Sequence, residues 1–239
     1  MRRNKKLLAA AVLLFLCVAY ALAVLLQIME EPAVSYYSFG LVVLCCLFCA
    51  LFAEKSPAYG LTQLALFTTV CADYFLVYSD NVRPLPAMLF FSVTQLCYFG
   101  RLYLTDSCPK RRRVQLFLRV GLSAFALLLT VLILGESTDA LALVSMFYYA
   151  NLILNVVFAF VGRQDTLLAI GLLLFLLCDT CVGLGNLYAY LPVNEAALNR
   201  VLYGYCNLAW VFYSPSQVLL ALSLLPRRLR QLNDADTAP

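Results

Sequence analysis

Two aspartates, Asp73 and Asp179, stand where almost every neighbour is apolar. The runs that hold them read LTQLALFTTVCADYFLVY (61–78) and LLLFLLCDTCVGLGN (172–186). Of the 13 acidic residues, the other 11 fall in loops, tails or helix ends. A charged Asp at the centre of a bilayer helix costs about 2.5–3.5 kcal/mol on insertion scales, and amides would join helices more cheaply. A pair of carboxylates can instead divide proton work. One is held protonated as an acid, and the other is ionised to take up a proton or stabilise a cation. The chain contains no histidine, which excludes Ser-His-Asp and Cys-His arrangements and removes the commonest metal ligand. Proton chemistry here must run on carboxylates, tyrosines or water, and no metal or organic cofactor is indicated.

The elements that must position this pair are transmembrane helices. Hydrophobic residues make up 64% of the 239 positions and charged residues 13%, with a mean hydropathy of +0.87. Soluble domains average about 45–50% apolar and 25% charged, so the composition marks an integral membrane protein. Crossing ~30 Å of hydrocarbon takes about 20 residues. Apolar runs predict eight spans, at about 7–28, 34–52, 58–78, 85–104, 114–134, 140–161, 167–187 and 201–225. Gaps such as EKSP, SDNVRP and TDSCPKRRR separate them. The expected fold is all-α: a polytopic bundle of eight transmembrane helices over residues 1–226, with a polar cytoplasmic tail over 227–239.

Charge gives the orientation. With eight spans, 14 of the 17 Lys and Arg fall on one side and 2 on the other, counting Arg101 at the end of helix four. The positive-inside rule then puts both termini in the cytoplasm. The net charge of +4 is therefore a topology signal and gives no reason to expect nucleic acid. PKRRRVQ (109–115) orients the chain and could also touch anionic headgroups. MRRNKK before an apolar stretch resembles a secretory signal, with Ala19, Ala21 and Ala23 near a cleavage site, but the run is long enough to remain as a span. A plasma-membrane location is the default for so loop-poor a chain.

In that orientation Asp73 lies ~7.5 Å and Asp179 ~12 Å below the outer ends of helices three and seven, at ~1.5 Å per residue. Asp80 follows Asp73 by seven residues and Asn186 follows Asp179 by seven, each on its aspartate's helix face. Helices three and seven hold equivalent places in two four-helix halves, a weak 4+4 repeat of parallel topology. Gln95 and Tyr98 of helix four could complete a cavity. So could Tyr148, Tyr149, Asn151 and Asn155 of helix six, and Tyr213 and Gln217 of helix eight, where Pro215 should introduce a kink. Taken singly, the amides and hydroxyls also suit interhelical hydrogen bonds worth ~0.6 kcal/mol each. Arg119 is expected to snorkel toward the inner interface. Nine of the ten cysteines lie in apolar runs and read as small hydrophobes. CDTC (178–181) has the C-x-x-C spacing without a thioredoxin-like context.

Three stretches resemble one family, the lysoplasmalogenases (YhhN-like eight-helix membrane proteins). LTQLALFTTVCADYFLVY is similar to its helix-three pattern, LLLFLLCDTCVGLGN to its second Asp motif, and YSPSQVLLALS (213–223) to its final helix with Tyr and Gln. The chain departs from the family at Gln95, where members often carry His, and at Tyr37-Ser38, where they carry Lys-Pro. The resemblance implies hydrolysis of the sn-1 vinyl ether of a lysoplasmalogen to a fatty aldehyde and a glycerophospho-alcohol. Asp73 and Asp179 would be the catalytic pair. Tyr98, Gln95, Tyr213 and Gln217 would orient the lysophospholipid, and Asn186 or Asp80 would face its headgroup. The residues suit that chemistry, because proton delivery to carbon gives an oxocarbenium ion that water captures, the two-carboxylate division of labour of glycoside hydrolysis. The sn-1 vinyl ether also lies just below the headgroup, at the depth of the pair.

A non-enzymatic lipid transporter or lipid-binding membrane protein is the alternative, with the aspartates as a proton or ion site. Discontinuous helices at corresponding places in two halves would mark it. Pro215 has no counterpart in helix four, whose Pro86 sits at the start, where proline is tolerated.

Overall fold

The computed structural model describes residues 2–53, 56–78, 82–162 and 165–225. Among them it has nine α-helices and no strand. These are α1 (Arg2–Leu25), α2 (Glu31–Phe52), α3 (Pro57–Asp73), α4 (Pro84–Thr105), α5 (Pro109–Leu134), α6 (Ala140–Val161), α7 (Thr166–Gly185), α8 (Glu195–Tyr203) and α9 (Leu208–Leu222). Local chemistry sets many of the starts. Proline occupies the first turn of α2, α3, α4 and α5, where its missing N–H would have had no partner in any case. Ser56, Asp139, Asp165, Asn194 and Asn207 cap α3, α6, α7, α8 and α9 by accepting a first-turn backbone N–H. Gly135 ends α5 with φ +53, a conformation that glycine adopts without steric cost.

Six of the described helices are long and apolar enough to cross a membrane: those built on α1, α2, α3, α5, α6 and α7. The chain is an integral membrane protein. α4, of 22 residues, is not among the six and carries Ser92, Thr94, Gln95 and Arg101 on its buried face. Exposed Leu, Phe and Val line the outside of the bundle, as on α1 and α5, the pattern of helices whose outer face meets hydrocarbon.

The last apolar stretch differs from the continuous span expected over 201–225. Residues 204–207 interrupt it, and Asn207 starts a new helix by capping α9 through the Ala209 N–H. What precedes is α8, nine residues that bury only Leu202. α9 then has 15 residues, about 22 Å at 1.5 Å per residue, short of the ~30 Å core. Arg101 likewise sits a turn inside α4 rather than at its end. It is buried, with Nη1 donating to the Thr62 and Ser223 hydroxyls. The tail 226–239, Asp80 and the loop cations Lys55 and Arg163 lie outside the described residues.

Packing centres on α9. It lies along α7, α2 and α1, while α3 packs on α4 and α4 on α6. Contact between α7 and α9 is close because Gly171 presents no side chain. A Cβ there would come within 2.9 Å of Leu220 Cγ and 3.2 Å of the Leu220 backbone nitrogen. The main apolar core draws on α3, α4, α6, α7 and α9, including Phe91, Leu152, Phe175 and Leu220. Those five helices bring the two aspartates together.

Candidate active site

Asp73 is the last α-helical residue of α3, and a π-helical turn, Tyr74–Tyr78, follows at once. Such a turn widens the helix by one residue and often marks functional sites. The carboxylate is buried, 5% exposed, and faces α9. The Tyr213 hydroxyl donates to it, 2.6 Å from both Oδ1 and Oδ2. Pro215 lies two residues on, inside the helix. Ser216, at the next position, donates its hydroxyl to the Tyr213 carbonyl at 2.7 Å. The hydroxyls of Ser214 and Ser38 are 2.8 Å apart and tie this turn of α9 to α2.

Asp179 lies on α7, about four turns from its start, and is partly buried. It accepts a hydrogen bond from the Tyr148 hydroxyl of α6. The two aspartates interact electrostatically across the core. Aromatic rings join their partners: Tyr148 to Phe91 at 5.8 Å, Phe91 to Phe175 at 6.0 Å, and Phe175 to Tyr213 at 6.0 Å between centroids. The site is thus two carboxylates on one apolar wall, each held by one phenol and, among the described residues, neither paired with a cation. Beside it a cavity of about 160 Å³ is lined by Val24, Gln27, Met29, Cys206, Asn207 and Trp210, among others. The Trp210 ring lies 6.1 Å from that of Tyr213, which holds Asp73.

With that geometry in hand, comparison with known proteins is informative in one respect. The YhhN family model matches residues 39–224. The chain belongs to the YhhN family. The match spans α3, α7 and α9, the helices of Asp73, Asp179 and Tyr213. No curated protein and no solved structure matches this YhhN-family chain significantly.

Of the remaining residues singled out from sequence, few reach the pair. Gln95 is fully buried; its Oε1 accepts from Asn155 Nδ2 at 2.9 Å, and its Nε2 has no hydrogen-bond partner among the described residues. Tyr98 is set apart: it is fully buried nearer Arg101 and Cys49, and its hydroxyl has no hydrogen-bond partner among the described residues. Gln217 lies one turn beyond Tyr213 and bonds to Ser216 at 3.2 Å, with its Oε1 unpartnered among the described residues. Asn186 is exposed at the end of α7, where its Nδ2 donates to the Val182 carbonyl at 2.8 Å. Asp80 lies outside the described residues.

Arg119 does not snorkel. It turns into the bundle, 7% exposed, with its guanidinium 4.1 Å from the Phe99 ring centroid. Nη1 donates to Asn151 Oδ1 at 2.5 Å and Nη2 to Asn155 Oδ1 at 2.8 Å. Two amides facing α5 drew it inward. Tyr148 was legible as one of several polar groups of FYYANLILN, but nothing in the spacing distinguished it from Tyr149, which bonds to Thr180 instead.

Proposed function

We propose that this protein is a membrane-embedded hydrolase of the lysoplasmalogenase type, the activity found in the YhhN family, and that Asp73 and Asp179 carry the reaction. The observation that bears most of the weight is the pair itself: two enclosed carboxylates within electrostatic range, each held by one tyrosine and neither neutralised by a cation among the described residues. Structural carboxylates in a bilayer are normally paired. Carboxylates left to exchange protons suit acid–base chemistry on an uncharged bond.

The substrate is a lysophospholipid with an sn-1 vinyl ether. One aspartic acid gives its proton to the vinyl carbon remote from oxygen, leaving an oxocarbenium ion stabilised by the other, ionised carboxylate. Water adds to the cationic carbon and loses a proton to that carboxylate. The hemiacetal then collapses to a fatty aldehyde and the glycerophospho-alcohol, and the proton returns to the acid. One water is consumed, and the aspartates end as they began. The Tyr213 and Tyr148 hydroxyls fix the two carboxylates, and the aromatic wall between them shields the cation from stray nucleophiles. Eight membrane crossings, with both termini cytoplasmic and α9 as the short eighth, would place the pair in the outer half of the bilayer. The cavity at Trp210 would then admit the headgroup from the same side. The repeated pairings support a 4+4 arrangement: α3 on α4 and α7 on α9, α2 on α9 and α4 on α6.

The test is direct. Purified protein in detergent is incubated with a lysoplasmalogen, and aldehyde release is measured against the corresponding ester lysolipid. The expected result is aldehyde from the vinyl ether alone. A carrier or scaffold would leave the lipid intact, and that outcome refutes the hydrolase reading.

A further inference from the structure

A second hollow lies behind the far end of the aromatic wall and has no part in the reaction above. It encloses about 500 Å³ and is lined by Leu89 and Ser92 of α4, Leu127 of α5, and Leu143, Val144 and Phe147 of α6. Ser92, the polar member of this lining, donates its hydroxyl to the Met88 carbonyl of its own helix at 2.8 Å. The hollow therefore presents hydrocarbon alone.

Topology opens it. α4 and α5 each pack along α6 but, among the described residues, scarcely on one another. Asp106 and Arg111 tie their joined ends. Further along, the Arg119 guanidinium sits over Phe99 and bonds to Asn151 and Asn155 of α6. That polar layer is the floor of a cleft. Leu127 lies about two turns past Arg119, Ser92 about two turns before Phe99, and Phe147 one turn before Asn151, so the apolar lining begins where the polar contacts stop.

The back of the cleft is the wall that carries the aspartates. Phe91 precedes Ser92, and Tyr148 follows Phe147 and stands one turn after Val144. The Phe91 and Tyr148 rings lie 5.8 Å apart, and the Tyr148 hydroxyl holds Asp179. From Phe91 the row of rings continues through Phe175 and Tyr213 to Trp210, in steps of 6.0, 6.0 and 6.1 Å. Gln27 and Asn207 stand at that other end, in the cavity of about 160 Å³. A cavity with polar groups, two carboxylates and an apolar cleft thus follow one another along a single row. The order is that of an amphiphile: head, reactive ether, hydrocarbon chain.

We propose that the cleft between α4, α5 and α6 holds the hydrocarbon chain of the lysolipid whose ether lies between the aspartates, and that Leu127, Leu143 and Val144 set which chains are accepted. The assignment rests on the hydrolase reading above. A chain that leaves lipid neighbours for the cleft gains packing rather than hydrophobic energy, so the cleft acts by orientation. It fixes the ether against the acid, where a misplacement of about 1 Å can cost on the order of 10²-fold in rate.

Two measurements test it. Val144→Trp fills the cleft, and Leu132→Trp adds the same bulk on the exposed face of α5. Both are checked for monodispersity and melting temperature, then assayed with lysoplasmalogens bearing a hexadecenyl chain or a butenyl chain too short to pass the wall. Val144→Trp should lose about tenfold or more in kcat/KM on the hexadecenyl substrate and stay within about twofold on the butenyl one. Leu132→Trp should match wild type on both. A folded Val144→Trp with the wild-type hexadecenyl rate, or with equal losses on both chains, overturns the chain site while the hydrolase reading survives. The second measurement needs no turnover. A saturated hexadecyl ether lysolipid with a diazirine at its chain end is photolysed with wild-type protein in bilayers of a diacyl phospholipid. Adducts should map to Leu127, Leu143 and Phe147, should be competed by the unlabelled hexadecyl ether but not by its butyl analogue, and should be lost in Val144→Trp. Adducts elsewhere, or adducts that excess hexadecyl ether does not compete, mean a cleft filled by any bilayer lipid and overturn the proposal. If wild-type protein releases no aldehyde while the labelling keeps the expected pattern, the hydrolase reading fails and the chain site stands.

Discussion

Asp106 and the Asp73–Asp179 pair are enclosed carboxylates at opposite ends of the bundle, and their surroundings differ in kind. Asp106 closes the turn between α4 and α5. Arg111 grips it with a two-pronged fork, Nε to Oδ2 at 2.5 Å and Nη2 to Oδ1 at 2.8 Å. The Cys108 backbone N–H donates to it at 2.8 Å and Gln115 Nε2 at 3.3 Å. Arg112 donates to its carbonyl at 2.6 Å. The Arg111 guanidinium holds this carboxyl below the ordinary aspartate range, as bidentate charge-assisted bonds do. Among the described residues Asp73 and Asp179 receive one phenol each. A carboxylate saturated with donors is fixed as an anion and pins a turn, whereas one with few donors in an apolar wall is free to exchange its proton.

The largest expected effect concerns the pair. Asp73→Asn and Asp179→Asn keep shape and hydrogen bonding but remove the proton chemistry, so aldehyde release should fall by about 10²–10⁴-fold in protein that remains monodisperse. Wild-type rates in either variant would erase the difference between the two ends. Next come the phenols. Tyr213→Phe and Tyr148→Phe leave the aromatic wall in place and take away the donors, which should lower kcat by roughly tenfold at little cost in stability. Asp106→Asn should do the reverse, lowering the melting temperature by roughly 2–4 °C while the rate per folded molecule is unchanged. The pH dependence has a definite sign. Because Arg111 lowers the folded-state value, the stability Asp106 provides is fully present above its unfolded value near pH 4. It is lost as pH falls through the lower folded value. Asp106→Asn should remove that acid limb from a melting-temperature series. Smallest of all, Asn186→Ala deletes an exposed bond back to its own helix and should change the rate by less than about twofold.

Much of this contrast was legible before any coordinates. Two Asp residues in apolar runs of the right length already pointed to α3 and α7, and the same periodicity located the first seven long helices to within a few residues. Asp106 escaped notice because TDSCPKRRR reads as a loop, and only the fold of the turn brings Arg111 back onto the acid five residues before it. Arg119 was misjudged for a related reason. Its position along α5 suggested the nearer interface, but α6 offers Asn151 and Asn155 at the same level, and contacts between helices carry no signature in one sequence. The break at 204–207 was hidden because GYC is as apolar as its neighbours, so hydropathy runs straight through the cap at Asn207. Tyr148 and Tyr149 stand side by side, and helix rotation alone decides which one meets Asp179.

The central claim is that a buried carboxylic acid delivers a proton to carbon. The most direct measurement is hydrolysis of a lysoplasmalogen in heavy water, with the aldehyde trapped at once by reduction to its alcohol. The account predicts one solvent deuterium on the carbon next to the former carbonyl, formed at a rate that collapses in Asp73→Asn. An aldehyde carrying no deuterium there, or undiminished turnover by Asp73→Asn, would contradict it.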